Sequence, residues 1–188
     1  MKKIQKLVLE AMFLAIGHVL PFFTGQIPQI GRMLLPMHIP VLLCGLVCGW
    51  QYGLMVGFVL PIMRSAIYGM PFMFPDAVSM AFELATYGSV VGYLFCRARW
   101  QCVVSLYRCM LMAMVCGRVV WGIVRMACMG LGADAFTIKA FFAGAFINAV
   151  PGIILQLIVV PAIMLALDKT HLVPFRKHSK KELGYVTK

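Results

Sequence analysis

Six long runs of apolar residues, separated by short segments rich in glycine, proline and charge, dominate the hydrophobic pattern of this chain. A hydrocarbon core about 30 Å thick is crossed by about 20 apolar residues in a helix, so runs of this length indicate membrane-spanning helices. The pattern therefore predicts an all-α protein with six transmembrane helices. Their expected bounds are residues 4–23, 37–49, 54–68, 76–95, 103–129 and 140–167.

Proline and glycine mark the expected ends and interruptions of these helices. Pro21 should end the first helix, and a turn over residues 49–53 should join the second to the third. Asp76 suits the first turn of the fourth helix, where a negative charge meets the positive end of the helix dipole. Pro151 and Pro161 are expected to interrupt the sixth helix.

The composition supports a membrane protein and leaves no room for a soluble module. The chain is 62% hydrophobic and 12% charged, whereas a soluble domain has about 25% charged residues. Six spans use most of the 188 residues, so we expect a single membrane domain over residues 1–188. No nucleophile–base motif or nucleotide-binding loop occurs, and we predict neither an enzyme nor a cofactor.

The net charge of +11 comes from basic residues in three clusters. They lie near the N-terminus, between the fourth and fifth helices, and in a tail over residues 168–188. With an even number of helices these clusters share one side of the membrane, as the positive-inside rule requires. Both termini are therefore expected in the cytoplasm, with the basic tail facing anionic lipid or a partner, and no nucleic acid is expected to bind.

Cysteine and histidine give no sign of a metal site. The seven cysteines are odd in number and form no CxxC pair, so we interpret them as small apolar packing residues without disulfides. His18 and His38 have no neighbouring acidic or cysteine ligand in the sequence, and no metal is expected.

Between the first two helices lies a polar, proline-rich segment, TGQIPQIGRMLLPMHIP, over residues 24–40. It carries Gln26, Gln29, Arg32 and His38. Proline fixes the backbone and glycine frees it, so the segment is a shaped loop with hydrogen-bonding side chains. We interpret it as a lid over a small-molecule pocket; the alternative is a plain connector with scattered polar residues.

Polar residues inside the spans are expensive and therefore informative, because each buried charge costs at least about 2.5–3.5 kcal/mol at a helix centre. With the predicted topology they collect in the outer half of the bundle, and the inner half is almost purely apolar. This asymmetry predicts a pocket that opens to the outside. The set consists of Arg64, Glu83, Arg118, Arg125 and Asn148, with Gln156 about two turns deeper than Asn148.

Two explanations of these charges stay open. Glu83 can form a structural ion pair with Arg118 or with Arg125. One glutamate cannot neutralise three arginines, however, and the surplus positive charge favours an anionic ligand held by bidentate contacts. The aromatic residues Tyr68, Phe72, Phe74 and Trp121 are candidates to cover the apolar body of that ligand.

The chain resembles the substrate-binding S-components of energy-coupling factor (ECF) vitamin transporters over residues 7–167. The likeness is carried mainly by GHVLPFFTGQIPQIGRMLLPMHIPVLLCGLVCG and PFMFPDAVSMAFELATYGSVVGYLF, which look like the subgroup of proposed pantothenate transporters. The resemblance implies a multi-pass protein of the bacterial plasma membrane that captures a vitamin. It also implies association with a transmembrane T-subunit and two cytoplasmic ATPases that supply the energy.

Two further expectations come from the resemblance. The family's Ala-x-x-x-Ala face on the first helix matches Ala11 and Ala15, which would contact the T-subunit. The loop between the first two helices gates the pocket and matches residues 24–36. In this family the whole subunit is thought to topple in the membrane and so release its substrate inside the cell. An apolar inner half without an ion path suits such a mechanism.

The substrate and the class of function remain open at this point. Pantothenate, with a carboxylate, hydroxyls and an amide, fits surplus arginine together with Asn148 and Gln29. A queuosine precursor or a form of vitamin B6 suits the aromatic residues better. The other classes are a structural subunit without a ligand and a self-sufficient carrier, which would need polar groups in the inner half.

Overall fold

The computed structural model describes residues 3–24, 35–98, 101–129 and 150–169, and all regular structure in these ranges is helical. The helices are α1 (Lys3–Val19), α2 (His38–Cys48), α3 (Trp50–Tyr68), α4 (Val78–Arg97), α5 (Val103–Met129) and α6 (Val150–Lys169). A 3₁₀ turn over Leu20–Thr24 follows α1, and a π-helical turn over Met73–Ala77 leads into α4. The expectation of an all-α protein is confirmed.

Four segments are long and apolar enough to cross a membrane. They are Lys3–Phe22, Met73–Arg97, Val103–Met129 and Val150–Lys169. α2 is apolar but has only 11 residues, about 16 Å at about 1.5 Å per residue. α3 has 19 residues, with Gln51 and Arg64 among them, and is not one of the four. The six-span topology and the cytoplasmic termini therefore stay predictions.

The junction between α2 and α3 differs from the expected turn over residues 49–53. Gly49 alone separates the two helices, with φ of 106° and ψ of 171°. Only glycine adopts this backbone conformation without strain, so a single residue reverses the chain and α3 begins at Trp50.

Helix boundaries elsewhere differ by smaller amounts. α4 begins at Val78, two residues after Asp76, because the π-helical turn occupies the expected first turn. Pro161 lies inside a continuous α6 and does not interrupt it. Neighbouring helices can compensate the backbone bond that a proline removes from a membrane helix. The described part of α6 starts one residue before Pro151, so the expected start near residue 140 lies outside the described residues.

Glycines bring α2, α3 and α4 into backbone contact. A Cβ built on Gly88 of α4 would lie 2.2 Å from the carbonyl oxygen of Gly53 in α3. A Cβ on Gly45 of α2 would lie 2.4 Å from the carbonyl oxygen of Gly88. Small residues at such crossings let helix backbones approach closely in a membrane, and α4 consequently lies at the centre of the described bundle.

The buried apolar residues of the helices form one core cluster. Cys44, Cys48 and Cys109 belong to it, in agreement with their interpretation as packing residues. That interpretation is wrong for Cys96 and Cys102, which are exposed. Many large apolar side chains on the outer faces are exposed as well, as expected where a helix faces lipid.

The end of the bundle with Lys3, Lys6 and Arg97 is called the basic end below. There, the Lys6 ammonium lies 5.7 Å from the ring centroid of Tyr52 near the start of α3. The backbone of Trp50 lies against Gly92 of α4. The starts of α1 and α3 and the last turns of α4 are therefore neighbours.

Candidate functional site

A buried polar cluster lies where α2, α4 and α5 meet. Glu83 accepts a hydrogen bond from Arg118, with 3.0 Å between Oε1 and Nη1. The Nε2 atom of His38 lies 3.5 Å from the same carboxylate oxygen. The three residues are 2%, 5% and 0% exposed, respectively. We call His38, Glu83 and Arg118 the inner polar layer.

Close packing of α4 against α5 fixes the register of the two helices at this layer. A Cβ on Gly117 would lie 2.5 Å from the ring of Tyr87, one turn from Glu83 on α4. Because Gly117 has no side chain, the neighbouring Arg118 lies beside Glu83. The ring of Tyr87 meets that of His38 edge to face, with 5.0 Å between their centroids, so it forms part of the floor under the layer.

Several polar atoms of the inner polar layer have no hydrogen-bond partner in the described part of the chain. They are Nε and Nη2 of Arg118 and Nδ1 of His38. A buried donor or acceptor without a partner costs about 1–3 kcal/mol, and more when charged. The layer can therefore offer two donors from Arg118 to an incoming group. In the neutral tautomer that donates from Nε2, His38 adds an acceptor at Nδ1.

A second ion pair lies further from the basic end. Arg125 of α5 pairs with Asp76 of the π-helical turn, and its guanidinium lies 5.4 Å from the ring centroid of Trp121. Both charged residues are seven positions from their counterparts in the inner polar layer, or about 10 Å along each helix at about 1.5 Å per residue. We call this pair the outer ion pair.

The structure shows which arginine pairs with Glu83, a choice that the sequence left open between Arg118 and Arg125. Glu83 pairs with Arg118, and Arg125 pairs with Asp76, which sequence reasoning considered only as a helix-terminal residue. This second pair was not predicted, although the sequence shows Asp76 just before α4 and Arg125 on α5. It was missed because the pairing requires the register between the two helices.

Arg64 belongs to a different interface, between α3 and α1. Its Nη1 donates a hydrogen bond of 2.9 Å to the backbone carbonyl of His18. The guanidinium also lies 5.6 Å from the ring centroid of Phe22 and 5.2 Å from that of Tyr68. Cation–π contacts of this kind favour a buried arginine, and Arg64 therefore connects α3 to α1.

One glutamate was expected to face three arginines, whereas two carboxylates pair with them among the described residues. Arg118 and Arg125 each have a carboxylate partner, and the guanidinium of Arg64 has a carbonyl and two aromatic faces. The three arginines do not converge on one anionic group. Phe72 and Phe74 are 66% and 63% exposed, so they do not cover the buried cluster.

The remaining candidate residues are placed as follows. Gln26, Gln29, Arg32 and Asn148 lie outside the described residues, as does most of the expected lid. Tyr68 and Trp121 lie beside the arginines already described. Within the described ranges no three His, Cys, Asp or Glu residues form a group suited to a metal ion.

Two further polar residues lie within the described helices. Gln156 of α6 is 1% exposed, although sequence reasoning did not include it among the ligand-binding candidates. Glu10 of α1 is half-buried and lies on the basic-end side of the inner polar layer. The expectation of an almost purely apolar inner half is therefore wrong at Glu10.

The described part of the chain thus consists of apolar helices around a polar layer that is incompletely paired, as is typical of a membrane protein. The chain belongs to the family of ECF transporter substrate-specific components, whose model matches residues 5–164. Neither the curated proteins nor the solved structures compared with the chain contain a match. The protein is thus a substrate-binding membrane subunit of an ECF transporter and not an enzyme, and such subunits work with a T-subunit and an ATPase module.

Proposed function

We propose that this protein captures a vitamin or related micronutrient from outside a bacterial cell. The ligand would lie on the inner polar layer, beneath the segment over residues 24–40. The observation that supports this most directly is that the buried Nε and Nη2 atoms of Arg118 have no hydrogen-bond partner among the described residues. Unpaired buried donors cost free energy and add nothing to a purely structural ion pair, so they favour a ligand that accepts from them.

In this proposal the basic end faces the cytoplasm and the outer ion pair lies toward the outside. Gln26, Gln29, Arg32 and Asn148 are proposed to complete the pocket above the described residues. Tyr68 and Trp121 would border its entrance beside Arg64 and Arg125. The energy for uptake would come from the T-subunit and two cytoplasmic ATPases.

Pantothenate is the first candidate ligand. Its amide and hydroxyls match the donors of Arg118 and the acceptor of His38. Its carboxylate would be served by Arg32 or by Arg64, which has no carboxylate partner among the described residues. A queuosine precursor and a vitamin B6 form are the alternatives, because each offers a planar ring with hydrogen-bonding edges to the same layer.

Thermal unfolding of the purified chain in detergent tests this proposal. We expect one micronutrient in a panel to raise the melting temperature at submicromolar concentration, because a ligand that binds only the folded state stabilises it by mass action. The panel contains pantothenate, 7-cyano-7-deazaguanine, pyridoxal, nicotinamide, nicotinate, biotin, riboflavin and thiamine. A flat response across all of them would count against ligand capture and favour a structural subunit.

The contact with the T-subunit is proposed at Ala11 and Ala15. Both residues are exposed on α1, and side chains this small permit close approach of another helix. We expect the Ala11→Leu/Ala15→Leu variant to reduce recovery of the T-subunit in a pull-down at least about tenfold. Its ligand-induced shift in melting temperature should equal that of the wild type.

The matched control for this variant is Val119→Leu, at a position of α5 that is 49% exposed. It enlarges an outward-facing side chain on another helix and should leave T-subunit recovery unchanged. Full recovery with the double leucine variant would exclude this face as the contact.

A further inference from the structure

Gln156 is a buried amide whose hydrogen-bonding capacity is unused in the described part of the chain. The residue is 1% exposed, and neither Nε2 nor Oε1 has a hydrogen-bond partner there. Replacing a side chain of this size by leucine would remove the desolvation penalty of an unpaired buried amide. A buried amide at such a position therefore favours a partner from outside the described residues.

The surroundings of Gln156 place it at the level of the inner polar layer. α6 packs against α2 and α5, the helices that carry His38 and Arg118. On α6 the buried residues one and two turns after Gln156 are Val160 and Met164, and both belong to the core cluster.

The other helices of the layer repeat this arrangement. On each of these helices, two members of the same core cluster follow the polar residue in the direction of the basic end. They lie one and two helical turns from it. They are Leu42 and Leu46 after His38, Tyr87 and Val91 after Glu83, and Met114 and Met110 before Arg118. On each of four helices, a buried polar side chain thus lies one and two turns from two members of the core cluster. Gln156 is the fourth.

The charges of this layer restrict what can bind there. The positive charge of Arg118 is already balanced by Glu83, and Gln156 is neutral. Burying a further anion beside a balanced pair is expensive, since an uncompensated charge loses its hydration. An uncharged group with a carbonyl acceptor and an N–H donor fits better, because a glutamine amide has a donor and an acceptor for it.

We propose that Gln156 binds the ligand directly, and that the deepest part of the ligand is an uncharged amide, lactam or ureido group. Its N–H donates to Oε1 of Gln156 and its carbonyl accepts from Nε2 or from the free donors of Arg118. This inference rests on the proposed function. It adds to it a fourth binding residue and the chemical class of the buried end.

Two substitutions with one melting assay test the assignment. The Gln156→Leu variant without ligand is expected to melt at or above the wild-type temperature, because an unpaired buried amide has been replaced by an apolar group. Its affinity for the panel compound that stabilises the wild type should fall about tenfold to a hundredfold, the range expected when hydrogen bonds of about 1–3 kcal/mol are lost.

Gln101→Leu is the matched control, since Nε2 of Gln101 donates to the carbonyl of Phe95 at 3.3 Å. Removal of this amide should lower the melting temperature slightly and leave ligand affinity unchanged. Among the probes, nicotinamide or biotin should be favoured over nicotinate or thiamine, which lack the required group.

The outcomes separate this inference from the function on which it rests. A lower melting temperature for unliganded Gln156→Leu would assign the amide a structural partner and overturn the inference. Unchanged affinity in that variant, or a stabilising compound without an amide, lactam or ureido group, would overturn it while leaving ligand capture in place. A wild-type protein that responds to no probe would contradict both.

Discussion

The Arg118→Ala variant is expected to lose about 3–5 kcal/mol in the free energy of unfolding, because it leaves Glu83 as a buried carboxylate without its main partner. This is a large share of the about 5–15 kcal/mol by which a protein is usually stable. Unfolding of the solubilised chain by heat or by a denaturing detergent measures the loss. Arg108→Ala is the control, since Arg108 lies exposed on the same helix and its removal should change stability by less than about 0.5 kcal/mol.

A double variant separates the structural contribution of this pair from its role in binding. Glu83→Gln with Arg118→Met removes both charges together, and replacement of a whole buried ion pair by neutral groups is often nearly neutral. We expect most of the stability lost in Arg118→Ala to return. The ligand should nevertheless cause no shift in the melting temperature of the double variant. Normal uptake by cells that carry the double variant would instead assign the pair a purely structural role.

The second large effect is expected from a single methyl group at the centre of the bundle. In the Gly88→Ala variant the new Cβ would lie 2.2 Å from the backbone carbonyl oxygen of Gly53, and backbone cannot rotate away as a side chain can. Separation of α3 from α4 should cost about 1–3 kcal/mol or more. The melting temperature and the elution profile on size exclusion measure it.

Ser89→Ala, one residue further along α4, is the control. Ser89 is half-buried and donates to the carbonyl of Thr86 at 3.2 Å, so its loss should change stability by less than about 0.5 kcal/mol. An ordinary glycine-to-alanine change inside a helix is stabilising by up to about 1 kcal/mol. Such a gain at Gly88 would show that α3 and α4 are not in backbone contact.

Much of the fold follows from local features of the sequence. Apolar run length predicts all six described helices, because helix formation inside a membrane depends on satisfying the backbone within one segment. The structure departs from these predictions at two positions. Gly49 alone reverses the chain between α2 and α3, and α6 continues through Pro161 without interruption. In both cases the outcome depends on the surrounding helices, which no local pattern describes.

The candidate site was foreseen less completely. His38, Glu83 and Arg118 could be chosen because charged and imidazole groups are conspicuous inside apolar runs. The pairing of Arg125 with Asp76, and the distance of Arg64 from that cluster, could not be deduced, since each depends on which helices are neighbours. Gln156 was visible as a polar residue in a span, but its burial without a partner among the described residues is a property of the packed bundle.

By itself the sequence determined that this protein is a helical membrane subunit with costly polar groups in its spans, because hydropathy and charge are properties of the chain alone. The tertiary structure decided which charges neutralise each other and which donors remain available, because ion pairs form between helices whose register is set by contacts such as that of Gly53 with Gly88. The expectation of a ligand held by surplus arginine charge changed for this reason. With Arg118 paired to Glu83, the chemistry available at the inner polar layer is that of neutral hydrogen bonding.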